Sequence, residues 1–132
     1  MHYSQVALEL YTVRDESKRD FEGTLRRVAH MGYAGVEFAG YGNLSAQAMT
    51  ALLAETGLKV AGTHLGLDSL IGEKLAASIG YCRAINCSVM VLPSLPQASR
   101  TLDGIRALGP QLNSIGKRCR DEGIGFAYHR QP

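Results

Sequence analysis

The amino-acid sequence predicts an α/β fold made of repeated, parallel βα units. Five short runs rich in β-branched and aromatic residues alternate with segments whose apolar residues recur at helical spacing. The central residues of these runs, which follow one another at intervals of 30, 24, 31 and 35 positions, are Val6, Val36, Val60, Val91 and Phe126. Such intervals match the length of one βα unit, about 30 residues. Because a connection of this length carries a crossover helix, neighbouring strands are expected to be parallel.

The five predicted strands cover residues 6–11, 35–38, 58–64, 88–92 and 124–129. Polar residues concentrate toward their C-terminal ends, where Glu37 and His64 stand. Glu9 lies within the first strand between two leucines, so its carboxylate is expected on the opposite face of the sheet from theirs. A buried carboxylate needs a partner, and Arg14 or His64 would provide one.

Four helices are predicted between the strands, each marked by an apolar stripe that would pack on the sheet. The stripes are Phe21-Leu25-Val28, Met49-Leu52-Leu53, Leu75-Ile79-Cys82 and Ile105-Leu108-Leu112-Ile115-Cys119. Asp20 and Ser45 are predicted to cap the first two helices, because their side-chain oxygens can accept hydrogen bonds from first-turn amides. Residues that tolerate a left-handed backbone stand where each helix would end, at Gly32, Gly57, Asn86 and Gly123. Pro110 has no amide hydrogen, so a kink or a new helix start is expected there.

Composition and charge indicate one soluble domain over residues 1–132. Hydrophobic residues make up 45% of the chain, charged residues 20%, and the net charge is +2, so neither nucleic acid nor an anionic membrane is an expected partner. No apolar run is long enough to span a bilayer and no signal-peptide pattern is present, which predicts a cytoplasmic location. The three cysteines, Cys82, Cys87 and Cys119, form no CxxC pair and are predicted to be buried, reduced thiols.

Two α/β folds accommodate five parallel strands. A flavodoxin-like open doubly wound sheet suits this length, whereas a complete (βα)₈ barrel takes about 250 residues, so the chain would then be a partial barrel. The strands of an open sheet covered on both faces are nearly all apolar. Polar residues at the strand ends favour the barrel, because barrel enzymes carry their chemistry on that rim.

Four passages resemble the sugar phosphate isomerase/epimerase family, whose members are xylose isomerase-like TIM barrels. They are residues 8–15 (LELYTVRD), where the family usually has Gln in place of Glu9, residues 31–38 (MGYAGVEF), residues 57–64 (GLKVAGTH) and residues 123–129 (GIGFAYH). Their order and spacing are similar to the family's along the whole chain. The resemblance implies the N-terminal portion of a TIM barrel, with about five strands and four helices. It would end before the later strands, which supply most of the family's metal ligands.

The resemblance also implies an isomerase or epimerase that moves a proton next to a carbonyl with the help of a divalent metal (Mn, Mg, Co or Zn). Glu37 and His64 are then the candidate catalytic residues, Glu9 and Arg14 the candidate substrate-binding residues, and His129 the candidate metal ligand. Other interpretations stay open: a Glu37 carboxylate bound to backbone amides or to Arg14, a solvated Arg14, and an exposed His129. Without the later strands, the chain is expected to bind no metal tightly and to be weak or inactive alone.

The expected partners are a sugar-like small molecule and a second copy of the chain. Five of eight strands would leave the first and fifth as open edges. They would also expose apolar residues of the barrel interior, predicted to be Val6, Val36, Val60 and Val91. Dimerisation would cover both the open strand edges and these apolar residues. The competing functional hypothesis is a non-catalytic α/β module that binds a small ligand or a protein partner at the C-terminal ends of its strands.

Overall fold

The computed structural model describes residues 3–95 and 97–128, in which strands and helices alternate. The strands are β1 Tyr3–Glu9, β2 Tyr33–Phe38, β3 Lys59–His64, β4 Val89–Leu92 and β5 Gly125–Tyr128. The α-helices are α1 Arg14–Arg19, α2 Phe21–His30, α3 Ala46–Thr56, α4 Glu73–Ala84 and α5 Leu102–Asp121. Short 3₁₀ helices lie at Leu10–Val13, Leu67–Leu70 and Gln97–Ser99. The predicted βα order is confirmed.

The five strands form one parallel sheet in which they stand in chain order, β1-β2-β3-β4-β5. Right-handed crossovers that always step in the same direction place their helices on the same face of the sheet. A flavodoxin-like sheet instead reverses its strand order at a switch point, and the described strands show no reversal. The structure therefore agrees with the partial TIM barrel, and the open doubly wound alternative is wrong.

Local sequence signals determine where the helices begin and end. The Asp20 carboxylate accepts a hydrogen bond from the Gly23 amide at 3.0 Å, at the start of α2. Ser45 Oγ accepts one from the Ala48 amide at 3.1 Å, at the start of α3. The backbone is left-handed at all four predicted stops, with φ values from 57° to 101°, at Gly32, Gly57, Asn86 and Gly123. Both predicted caps and all four predicted stops are confirmed.

Two segments differ from the prediction. The first strand ends at Glu9, and the chain continues into the 3₁₀ helix Leu10–Val13 and then into α1. No residue of α1 is fully buried, so no apolar stripe marks this helix in the sequence. Helix α5 continues through Pro110, so the prediction of a new helix start there is wrong. A proline removes one backbone hydrogen bond, and the packing of Ile115 and Cys119 stabilises the rest of the helix.

The hydrophobic core lies between the sheet and the helices. Val36 is fully buried and pairs in register with Val60, so both side chains lie on the helix side of the sheet. The prediction that these two valines face the barrel interior is therefore wrong. Val91 pairs with His64 on the inner face, and Val6 is about half exposed. The largest fully buried side chains are Phe38, Leu25, Met49, Leu70, Met90 and Leu92.

Cys82, Cys87 and Cys119 are free and buried, as the sequence predicted. Within residues 3–95 and 97–128, no helix combines the length and the apolar character needed to cross a membrane.

Candidate functional site

The C-terminal ends of β1, β2 and β3 bring three of the predicted site residues together. Glu9 pairs with Glu37 in the parallel ladder, so both carboxylates lie on the same face of the sheet. Glu37 in turn pairs with Gly62, and His64 follows two residues later on that face. This is the inner face, because the adjacent Phe38 side chain lies on the other face, fully buried in the core.

A register shift between β2 and β3 decides which side chain of β3 faces the site. Successive residues of β2 pair with Val60 and then with Gly62, so Ala61 is an extra residue in β3. Because side chains alternate between the two faces of a strand, a regular register would turn Thr63 inward and His64 toward the helices. The shift therefore places His64, and not Thr63, beside the two carboxylates, as such irregularities do at many active sites.

The three side chains line a cavity of about 750 Å³. Glu9 Oε1 lies 3.6 Å from His64 Nδ1, which is an ion-pair distance but longer than a hydrogen bond. The side chains are 41% exposed for Glu9 and 20% exposed for His64, so water only partly screens their attraction. With Nδ1 turned toward Glu9, the opposite ring nitrogen of His64 is available to a ligand. The remaining lining residues are Tyr11, Ala39, Val91, Pro93 and Ser94.

The Glu37 carboxylate forms no hydrogen bond or ion pair with any described residue. The absence of a side chain at the paired Gly62 leaves room beside it, since a Cβ built there would lie 3.7 Å from Glu37 Oε1. The described contacts therefore do not support the interpretation of Glu37 as a carboxylate bound to backbone amides or to Arg14. Glu37 is free to accept a proton or a hydrogen bond from a ligand.

Arg14 does not reach the carboxylates. Its guanidinium lies over the Tyr11 ring, 4.4 Å from the ring centroid, and Nη1 donates a hydrogen bond to the Tyr11 carbonyl at 3.0 Å. Of the two partners predicted for Glu9, His64 is therefore right and Arg14 is wrong. Arg14 instead lines a second cavity of about 700 Å³, which shares Tyr11 and Ala39 with the first.

The predicted metal ligand, His129, lies outside the described residues. Among residues 3–95 and 97–128, no three His, Cys, Asp or Glu side chains are grouped so that they could hold a metal ion. Glu9, Glu37 and His64 are donor types that Mn, Mg, Co and Zn accept, but their arrangement does not make such a group. The described residues therefore do not fit a metal centre.

A partly buried aromatic cluster anchors the loop after β2, which forms part of the wall of both cavities. Tyr41 stacks on Tyr81 with ring centroids 4.0 Å apart and meets Phe38 edge-on at 5.4 Å. Thr63 Oγ1 donates a hydrogen bond to Tyr41 Oη at 2.9 Å. Tyr81 Oη donates one to the Leu44 carbonyl at 2.9 Å. Burial raises the pKa of Tyr41 well above its ordinary value, so the phenol stays neutral.

Several residues of the first cavity were not among the predicted site residues. Tyr11 follows β1, and Pro93 and Ser94 follow β4. The proline-rich loop after the fourth strand was a usable signal, because loops at the C-terminal ends of barrel strands carry site residues. Nothing in the sequence distinguished Tyr11 from the rest of the passage 8–15.

No family model and no curated protein matches the sequence, but solved structures match its fold. A sugar phosphate isomerase/epimerase from Parabacteroides distasonis ATCC 8503 is 24% identical over 94% of this chain and 54% of its own, with a TM-score of 0.76. A second one from that organism is 21% identical over 98% of this chain and 52% of its own, with a TM-score of 0.69. An AP endonuclease, family 2, from Brucella melitensis is 16% identical over 82% of this chain and 48% of its own, with a TM-score of 0.66.

The chain has the fold of a partial TIM barrel. It spans about half the length of the structures that it matches. In TIM-barrel enzymes, the C-terminal ends of the strands carry the active site. Glu9, Glu37 and His64 all lie at that end of the partial TIM barrel.

Proposed function

We propose that this chain contributes to a sugar isomerase or epimerase site that moves a proton next to a carbonyl. The observation that carries the proposal is the grouping of Glu9, Glu37 and His64 around one cavity at the strand ends. Such proton transfer needs a base near the C–H bond and a hydrogen-bond donor for the oxygen that gains charge. A carboxylate without a protein partner and an imidazole next to a carboxylate are suited to these two tasks. Two solved structures of this fold are named sugar phosphate isomerase/epimerases.

The proposed reaction uses the side chains of this chain alone. The Glu37 carboxylate takes the proton from the carbon next to the substrate carbonyl, and the electron pair of that C–H bond forms the double bond of an enediol. His64 gives a proton to the carbonyl oxygen at the same time. The Glu9 carboxylate lies 3.6 Å from His64 Nδ1, on the side of the ring opposite the nitrogen that faces the ligand. Isomerisation is completed when Glu37 returns its proton to the former carbonyl carbon and the neighbouring hydroxyl returns one to His64.

A divalent metal enters the proposal only through the resemblance to the family, with His129 as its ligand. Because Glu9, Glu37 and His64 do not form a metal group, none of the steps above depends on one. Comparing rates with added Mn²⁺ and with a chelator shows whether a metal contributes.

The test is exchange of the substrate proton with solvent. The chain is incubated in D₂O with a panel of aldoses, ketoses and their phosphates, and loss of the proton next to the carbonyl is followed by ¹H NMR. We expect slow exchange with at least one sugar. We expect Glu37→Gln and His64→Ala each to lower it by about 100-fold or more, the usual contribution of general acid–base catalysis.

Glu55→Gln is the matched control, because it also removes one carboxylate. Glu55 pairs with Arg26 at 2.6 Å, with both side chains about half exposed, and it stands in the last turn of α3, just before β3 begins. Such an exposed ion pair contributes little to stability, so exchange should be unchanged. Exchange that is equally fast in all variants would contradict the proposal. Saturable sugar binding without exchange would support the non-catalytic module instead.

A further inference from the structure

The register of β3 against β2 decides whether the proposed site contains an imidazole. In the structure Phe38 pairs with Thr63, so Thr63 lies on the helix side of the sheet and His64 faces the cavity. Without the extra residue Ala61, Phe38 would pair with Gly62 instead. Thr63 would then face the cavity, and His64 would lie against the helices.

Backbone hydrogen bonds do not select between these two registers, because every residue of β3 offers the same N–H and C=O groups. Among the described strands, the pairing of β3 with β4 involves only Thr63 and His64 of β3. A strand shifted by one residue would offer β4 the same backbone groups. The selection of the register must therefore come from the side chains.

Thr63 carries a polar side chain that fits only the observed register. Its side chain is fully buried, and its Oγ1 donates a hydrogen bond to Tyr41 Oη at 2.9 Å. A hydroxyl at this depth is unfavourable without a partner. In the shifted register, Gly62 would stand opposite the Tyr41 phenol and offer it no side-chain donor. The hydrogen bond therefore favours the register that turns His64 toward the cavity.

The acceptor of this hydrogen bond is held in place by contacts that do not involve β3. The Tyr41 ring stacks on Tyr81 of α4 with centroids 4.0 Å apart, and it meets Phe38 of β2 edge-on at 5.4 Å. Tyr81 Oη donates to the Leu44 carbonyl at 2.9 Å, which ties the same loop to α4. Tyr41 Oη therefore stands at a fixed height along β3, and a strand shifted by one residue would not bring Thr63 to it.

We propose that Tyr41 and Thr63 are positioning residues for His64, because their hydrogen bond on the helix side selects the register that brings the imidazole to Glu9. A buried polar residue fixes the register of packed helices in coiled coils in the same way. Neither Tyr41 nor Thr63 lines the cavity, so both act through β3. The inference rests on the proposed function only for the use of the imidazole in proton transfer, and selection of the register itself requires no catalysis.

The test follows the His64 ring signals by ¹H–¹³C NMR, assigned with His64→Ala. In the wild type, Glu9→Gln should displace these signals, because the carboxylate lies 3.6 Å from the ring. Tyr41→Phe leaves the Thr63 hydroxyl buried without its acceptor, so we expect a second set of His64 signals that Glu9→Gln does not displace. Adding Thr63→Val removes the unpaired hydroxyl. The second set should then be at least about fivefold less populated, the ratio expected for one buried hydrogen-bonding group.

Tyr81→Phe is the matched control, because it removes the other phenol hydroxyl of the same aromatic cluster, which bonds the loop and not β3. It should keep one set of His64 signals that still responds to Glu9→Gln. A single responsive set in Tyr41→Phe, a double variant that behaves like Tyr41→Phe, or an equal effect of Tyr81→Phe would overturn the proposal. Failure of proton exchange in the wild type, with the expected His64 signals, would refute the proposed function and leave the positioning role standing.

Discussion

Thr63 and Tyr41 provide a direct test of how the loop after β2 is anchored. Thr63 is fully buried, and its Oγ1 donates to Tyr41 Oη at 2.9 Å. Thr63→Val replaces the hydroxyl by a methyl group of nearly the same size and leaves the Tyr41 hydroxyl without this donor. A lost hydrogen bond and an unpaired buried partner together cost about 1–3 kcal/mol. We expect the free energy of unfolding to fall by that amount.

The assay is a double-mutant cycle by urea denaturation, followed by circular dichroism. Tyr41→Phe keeps the ring that stacks on Tyr81 but leaves Thr63 Oγ1 without its acceptor, so a similar loss is expected. The double variant removes both partners and leaves neither group unpaired, so its loss should be smaller than the sum by about 1 kcal/mol. Thr50→Val combined with Tyr41→Phe is the control, because no described contact joins these residues, and it should be additive. Additivity of the Thr63–Tyr41 pair within about 0.3 kcal/mol would refute the reasoning.

Three further predictions concern stability and association. Pro110→Ala should stabilise the chain by about 1–2 kcal/mol, because it restores a donor inside the continuous helix α5; a lower thermal midpoint would contradict this. Burial raises the pKa of Tyr81 to about 12, above its ordinary value of about 10. The contribution of Tyr81 to the free energy of unfolding is therefore present below pH 10 and lost as the pH rises toward 12. The Tyr81→Phe variant should lose less of this free energy over that range in urea titrations. We also expect dimers in light scattering across a concentration series, since among the described strands β1 and β5 each pair with one neighbour only, and Ala127 and Tyr128 are exposed; a monomer at every concentration would count against self-association.

Much of the fold could be predicted because local physics determines it. Asp20 and Ser45 cap helices through hydrogen bonds within one turn, and Gly57 ends a helix through its own backbone angle. These effects involve neighbours in the chain and are visible in the sequence. Helix α1 was not predicted, because it buries no residue completely and therefore shows no apolar stripe in the sequence.

The candidate site could be predicted in part. Glu9, Glu37 and His64 stood out as polar residues in otherwise apolar strands, and the resemblance to the family implied their roles. The structure brings all three to one cavity. Arg14 was identified, but the partner expected for it was wrong.

The sequence by itself determined the βα order, the helix ends and the set of polar strand-end residues, because each depends on spacing or on a single backbone conformation. Only the tertiary structure decided the strand order, which excludes the doubly wound sheet, and the faces on which the side chains lie. The extra residue Ala61 in β3 turns His64 toward Glu9 and Glu37. A shift of one residue exchanges the two faces of a strand, and the pairing that produces it forms between segments far apart in the chain.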